Sequence, residues 1–186
     1  MTTLKFQSLL MLSFVFAAAV LYPDDQHQNF LRQEIISSIL DSHADTVETD
    51  MIGNDYSVGY IFSPKVSGKI TRLGIKIPDS GIFKISIWDV DTKTLITQTT
   101  VHQGRKHWNY KDIPDVNVVK QKNYVVCLML PLGTQYFTAP NLKLPLDAHG
   151  VKVVQSVASF GDAYPADQIM PDALFGFIDF TFEPSH

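Results

Sequence analysis

The sequence predicts an all-β fold, an antiparallel β-sandwich of jelly-roll type. The first observation is alternation, clearest within residues 68–90, where Phe83, Ile85 and Ile87 alternate with polar or less apolar residues, the two-residue period of a half-buried strand. The second is a succession of short strand-like runs from residue 56 onward, separated by glycine, proline and aspartate turns. The third is spacing, because these connections are too short for the crossover helices that a parallel sheet needs.

Residues 1–21 are expected to be a secretory signal peptide. Lys5 supplies a positive charge, residues 6–20 are almost wholly apolar, and the alanines at 17–19 offer a cleavage site. The alternative is an uncleaved anchor, since the apolar run approaches the roughly 17-residue lower limit of a spanning helix. No cysteine directly follows the run, which disfavours lipid attachment. Contact with a membrane is therefore expected only through this segment, if it is uncleaved.

Charge and cysteine content limit the partners and the compartment. The formal net charge is −4 and no cluster of basic residues occurs, so nucleic acid is a poor candidate partner. Cys127 is the only cysteine, which excludes an intrachain disulfide. An exported chain without disulfides is expected to be secreted, periplasmic or on the bacterial cell surface.

Residues 22–55 are predicted to form a polar N-terminal tether ahead of one sandwich domain at residues 56–186. Apolar residues recur in the tether at spacings of one, three and four; they are Phe30, Leu31, Ile35, Ile36, Ile39 and Leu40. This recurrence fits a short helix with an apolar stripe. A first strand at residues 34–39, added to a sheet edge, is the alternative that the sequence leaves open.

Residues 68–90 are predicted to be a β-hairpin with its turn at residues 78–81. Pro78 fixes φ and Gly81 tolerates positive φ, so the chain can reverse there. Pro114 is expected to end a short run that follows Gly104, and a looser region begins near residue 131. Further strands are predicted at residues 56–62, 95–102, 116–119, 124–132, 151–160 and 174–182.

A family resemblance is carried by the stretches YSVGYIFSPKVSGKITRLGIKIP, IWDVDTKTLI, KQKNYVVCLML, FGDAYPAD and FGFIDFTFEP. Their order and spacing across residues 30–184 resemble domain of unknown function family 4082. The resemblance implies a β-sandwich and a secreted or lipoprotein-type bacterial surface protein. It also implies, for some members, a place beside carbohydrate-active or adhesive modules.

Sequence signatures of hydrolases and of phosphate-binding loops are absent, so we expect no enzyme. One alternative is a carbohydrate-active enzyme with loop carboxylates such as Asp162 and Asp167, because such carboxylates need only meet in space. Asp89 and Asp91, followed by Thr92, have the spacing of alternating oxygen ligands. We expect no cofactor, and structural calcium at Asp89 and Asp91 is the alternative.

Aromatic residues are the candidate ligand contacts, because sandwiches that bind sugars stack the sugar ring on exposed aromatic side chains. The candidates are Trp88, Trp108, Tyr110, Tyr136, Phe137 and Tyr164. Burial in the core is the alternative for these rings. We expect an exported, non-catalytic binding module of the bacterial envelope that recognises a glycan or an envelope protein. The alternative is a structural or assembly module that contacts its partner through residues 29–55.

Overall fold

A computed structural model of the chain describes residues 33–41, 47–104, 107–166, 168–170 and 172–185. The predicted signal peptide and the candidate carboxylate Asp167 lie outside these residues. Within them the chain forms fourteen strands and one short helix. The strands are β1 (Gln33–Glu34), β2 (Glu48–Met51), β3 (Tyr56–Pro64), β4 (Gly68–Lys76), β5 (Gly81–Asp89), β6 (Leu95–Gln103), β7 (Asn109–Val118), β8 (Tyr124–Leu130), β9 (Gln135–Pro140), β10 (Leu146–Ala148), β11 (Val151–Phe160), β12 (Gln168–Met170), β13 (Ala173–Phe175) and β14 (Phe177–Pro184), and the helix is α1 (Ile36–Asp41).

The strands form antiparallel sheets. The larger sheet has the order β10-β11-β3-β8-β5-β6, with β12 paired to β11, and the smaller sheet has the order β1-β14-β4-β7. A short third sheet, β13-β9-β2, lies beside them. The larger and smaller sheets pack face to face around one core, which confirms the predicted antiparallel sandwich.

Alternation builds the core between the two sheets. Phe83, Ile85 and Ile87 of β5 are all buried, as their alternation predicts. Aromatic rings fill the centre, where Phe62 of the larger sheet lies against Phe180 of the smaller sheet with ring centroids 4.6 Å apart. Each such buried side chain stabilises the fold by about 1.5–3 kcal/mol. The sandwich therefore offers two rigid outer faces on which other side chains can be positioned.

The predicted hairpin at residues 68–90 is wrong in its pairing. β4 pairs with β14 and β7 in the smaller sheet, whereas β5 pairs with β6 and β8 in the larger sheet. The turn at residues 78–81 therefore carries the chain across the core from one sheet to the other. Alternation fixes which side chains face inward, but a hairpin and a crossover between sheets present the same inward pattern.

Two predicted boundaries also change. β7 continues through Pro114 as one strand, where the sequence predicts a break. β7 is the edge strand of the smaller sheet, and an edge strand tolerates proline because one side of its backbone pairs with no strand. A register shift between Ile70 and Arg72 of β4 accommodates the irregularity. Residues 135–140, predicted to be loose, form β9.

In the N-terminal segment the structure has the short helix, and the alternative strand at residues 34–39 is wrong except at Glu34. β1 pairs with β14, and α1 follows directly. The apolar residues of this turn belong to the core; they are Ile35, Ile36, Ile39 and Leu40. β2 then pairs with β9. The described residues of the predicted tether thus pack on the sandwich. Among the described residues, no helix has the length and apolar content needed to cross a membrane.

Candidate functional site

The outer face of the smaller sheet brings together three of the six predicted ligand contacts, Trp108, Tyr110 and Phe137. β7 places Tyr110 two residues after Trp108, with ring centroids 6.0 Å apart. Phe177 of β14 joins Trp108 to Phe137 of β9, with centroid distances of 6.4 Å and 5.6 Å. Phe137, Phe177, Trp108 and Tyr110 together form what is called here the aromatic row.

Cationic side chains border the aromatic row. The Lys76 Nζ atom lies 5.7 Å from the ring centroid of Phe137, and the Arg72 Cζ atom lies 4.8 Å from that of Tyr110. Phe177 is fully buried, whereas Trp108 and Phe137 are half-buried. Half-exposed rings beside hydrogen-bond donors can pack against the C–H groups of a sugar while the donors reach its hydroxyls. The row can therefore act as a sugar-binding surface.

Tyr110 is fixed by a hydrogen bond across the middle of the sheet. Gly74 of β4 pairs with Tyr110 on one side and with Asp179 of β14 on the other. A Cβ atom on Gly74 would lie 2.4 Å from the Tyr110 ring, so only glycine lets the ring cross this position. The Tyr110 hydroxyl donates to Asp179 Oδ2 at 2.8 Å. Tyr110 therefore stabilises the sheet, and its hydroxyl proton is already donated to Asp179 rather than offered to a ligand.

Asp179 attaches the N-terminal segment to the sheet. Its fully buried carboxylate accepts hydrogen bonds from the backbone N–H groups of Ile35, Ile36 and Ser37, at 2.8, 2.8 and 2.9 Å. These N–H groups at the start of α1 have no acceptor within the helix. Burial raises the pKa of Asp179, and the N–H groups and the Tyr110 hydroxyl oppose that rise. Burial also raises the pKa of Tyr110, which keeps the phenol a donor.

Sequence reasoning missed Phe177 and Asp179 as members of this face. The available signal was the alternation in β14, where Ile178, Phe180 and Phe182 face the core. The same alternation places Phe177 and Asp179 on the opposite side. Asp179 is a carboxylate within a strongly apolar run, and a carboxylate is rarely buried in such a strand unless it is paired. The sequence alone therefore marks Asp179 as a position that needs hydrogen-bond partners.

A polar groove of about 250 Å³ lies at the other end of the same face, and its carboxylates are paired. Lys69 Nζ lies 2.8 Å from Asp115 Oδ2 and 3.7 Å from Glu183 Oε2. A glycosidase needs open space between two carboxylates for the glycosidic bond, whereas the Lys69 ammonium lies between these two. The loop carboxylate Asp162 is paired as well, with Lys84.

Trp88 and Tyr164 meet on the outer face of the larger sheet. Their ring centroids are 5.9 Å apart, edge to face, and both rings pack on a small cluster of Val125, Cys127 and Val157. Burial raises the pKa of Cys127 to about 12, so the thiol is a poor nucleophile. These contacts attach the loop at residues 161–166 to the sheet.

Asp89 stabilises its own turn. Its Oδ1 atom accepts hydrogen bonds from the backbone N–H groups of Asp91 at 2.9 Å and Thr92 at 3.1 Å, and its Oδ2 atom lies 2.5 Å from Lys122 Nζ. The Lys122 ammonium holds the pKa of Asp89 below its ordinary value. In the described part of the chain, no three His, Cys, Asp or Glu side chains are grouped to hold a metal. Calcium binding at Asp89 and Asp91 stays a prediction and requires Lys122 to move away.

Tyr136 lies apart from the other candidates, at one end of the sandwich. For this ring the alternative of burial applies, because β9 buries the residue to 5% exposure, so Tyr136 is not an exposed ligand contact. Its hydroxyl donates to Asp50 Oδ2 at 3.2 Å. Its ring helps to line a partly open cavity of about 270 Å³. The six candidates are therefore distributed over three places: the aromatic row, the Trp88–Tyr164 pair and this cavity.

Comparison with known proteins adds no relative. No protein-family model matches the chain, and no curated protein matches it. The resemblance to family 4082 stays a prediction. The function of the chain is therefore inferred from the geometry of its own residues.

Proposed function

We propose that the chain is an exported, non-catalytic binding module of the bacterial envelope that recognises glycan through its aromatic row. The observation that carries the proposal is the meeting of Trp108 and Phe137 around Phe177 on one outer sheet face. The signal peptide predicted at residues 1–21 supports the location. The paired carboxylates of the polar groove support the non-catalytic part of the proposal.

A sugar ring offers C–H groups on one face and hydroxyls around its rim. Trp108 and Phe137 supply ring surfaces for the C–H groups, and the Lys76 ammonium beside Phe137 supplies a donor for a hydroxyl. The rings stand on a hydrogen-bonded sheet, and Trp108 lies between Phe177 and Tyr110, so little conformational freedom is lost on binding.

The expected affinity is weak. A well-placed aromatic contact contributes about 0.5–1.5 kcal/mol beyond the area that it buries. Two such contacts and one charge-assisted hydrogen bond of about 1.5–3 kcal/mol total about 2.5–6 kcal/mol, a range that brackets the roughly 4 kcal/mol corresponding to a Kd near 1 mM. An oligosaccharide that contacts both Trp108 and Phe137 is therefore expected to bind more tightly than a monosaccharide.

A glycan array followed by titration calorimetry tests the proposal. Trp108→Ala and Phe137→Ala are expected to abolish binding to the selected oligosaccharide. Phe160→Ala is the matched control, because it removes a ring that is 59% exposed on β11 of the larger sheet, outside the aromatic row, and this variant is expected to bind as the unchanged protein does. Circular dichroism verifies folding of each variant. Failure of the unchanged protein to bind any envelope or host polysaccharide would contradict the proposal.

Assembly with an envelope protein is the second candidate function. The observation that favours it is three strongly exposed apolar side chains near one end of the sandwich, Met51 at 59%, Leu132 at 66% and Phe160 at 59%. Exposed apolar groups that lie together often mark a protein contact. Because residues 33–41 pack into the core, deletion of the N-terminal segment would unfold the protein. The double variant Met51→Ser with Phe160→Ser is the cleaner test. The partner that is cross-linked to the unchanged protein in cells should be lost from this variant only if this end of the sandwich forms the contact.

A further inference from the structure

We infer that the end cavity lined by Tyr136 is a second binding site, and that it takes a small uncharged aromatic group. The cavity lies beside the short sheet formed by β13, β9 and β2, and β9 separates it from the aromatic row, because Tyr136 and Phe137 point to opposite sides of that strand. Its occupancy does not depend on glycan binding. Its main lining residues are Met51, Ile52, Tyr56, Tyr136, Ala158 and Phe175.

The size of the cavity exceeds a packing defect. Native cores contain few voids larger than a water molecule. The volume of about 270 Å³ equals the volume that about nine molecules occupy in liquid water. It also exceeds the roughly 150 Å³ of an apolar cavity that binds benzene. One substituted aromatic ring therefore fits.

The lining selects against charge. No Asp, Glu, Lys, Arg or His side chain is among the described residues that line the cavity. The hydroxyl of Tyr136 already donates to Asp50, so it does not offer its proton to a ligand. In this partly open cavity an ionised ligand would lose part of its hydration without gaining a counter-charge from the lining, which is unfavourable.

Small residues keep the space open and rings surround it. Ala158 is buried at 3% exposure, and a Cβ atom on Gly53 would meet nothing within 4 Å. Tyr56, Tyr136 and Phe175 contribute rings from three different strands. Ring walls favour an aromatic guest through edge and stacking contacts. The thioether of Met51, at the same cavity, adds a further favourable contact with a ring.

A neutral and an anionic probe of the same shape test the inference. We expect p-cresol to bind the full chain saturably, as measured by ligand-observed NMR and calorimetry, and 4-hydroxybenzoate not to bind. Ala158→Leu fills the cavity and is expected to weaken p-cresol binding by about tenfold or more. Ala163→Leu is the control, because it adds the same atoms at an exposed loop position and is expected to leave the affinity unchanged.

The outcomes are decisive in both directions. Absence of saturable p-cresol binding, equal binding of 4-hydroxybenzoate, or undiminished binding by a folded Ala158→Leu protein overturns the inference. If Ala158→Leu fails to fold, Gly53→Leu replaces it, since a side chain at Gly53 meets open space. Loss of p-cresol binding by Gly53→Leu, with glycan binding retained, supports a separate aromatic site.

Discussion

Replacement of Tyr110 by Phe isolates the contact that attaches the N-terminal segment to the sandwich. The substitution removes a hydroxyl that donates to Asp179 Oδ2 at 2.8 Å, and that carboxylate is fully buried. A hydrogen bond to a charged group contributes about 1.5–3 kcal/mol to the free energy of unfolding. A chain of 186 residues loses about 2–4 °C in Tm per kcal/mol, so a decrease of about 3–12 °C is expected.

Urea denaturation at several pH values measures the loss. The hydroxyl favours the ionised form of Asp179, whose pKa burial raises, so the loss is expected to be largest above that pKa and to shrink as acid protonates the carboxylate. Hydrogen exchange should show faster exchange of the Ile36 and Ser37 amides in the Phe variant, because they bond to the same carboxylate. These amides report directly on the attachment of α1.

Tyr136→Phe is the matched control for this experiment. Its hydroxyl donates to Asp50, an exposed residue, at 3.2 Å, and its loss is expected to cost less than about 1 kcal/mol. Equal losses in the two variants would refute the reasoning, as would an unchanged free energy of unfolding for Tyr110→Phe. Either result would mean that the buried carboxylate does not depend on the phenol.

Three further predictions concern residues elsewhere in the sheets. Gly74→Ala is expected to prevent stable folding, because the new methyl group would lie 2.4 Å from the Tyr110 ring. Thermal denaturation of the double variant Gly74→Ala with Tyr110→Ala should show that removal of the ring restores part of the lost stability. Asp89→Asn should lower stability at pH 7, but the difference in urea denaturation should vanish as pH falls through the depressed pKa of Asp89, since Lys122 stabilises only the ionised form. Trp88→Ala should destabilise the fold by about 2–3 kcal/mol, because the ring packs on the small cluster of Val125, Cys127 and Val157. The same variant should leave the glycan Kd measured by calorimetry unchanged. Lost glycan binding with unchanged stability would contradict this structural role of Trp88.

The sequence predicts the fold class well because alternation follows directly from the geometry of a strand. The inward face of β5 and the strong apolar run of β8 need no knowledge of their neighbours. Pairing is different, since it depends on which strands meet in space. The turn at residues 78–81 therefore suggests a hairpin, whereas β4 and β5 separate into two sheets.

The candidate site is predictable only in part. Trp108 and Tyr110 share a strand face, so their proximity follows from spacing. Phe137 joins them only because β9 and β14 place it beside Phe177, a contact 40 residues away along the chain that no local pattern contains. Tyr136, its direct neighbour, points to the other side and lines the end cavity. Long-range pairing, rather than residue type, divides these two aromatic residues between separate places.

Fluorescence of Trp108 tests the central claim most directly. The chain has two tryptophans, so Trp88→Phe leaves Trp108 as the only one. Titration of this variant with the oligosaccharide selected on the array is expected to change the Trp108 emission saturably, with the Kd found by calorimetry, and Phe137→Ala should abolish the change. Binding detected by calorimetry while the Trp108 emission stays constant would contradict recognition through the aromatic row.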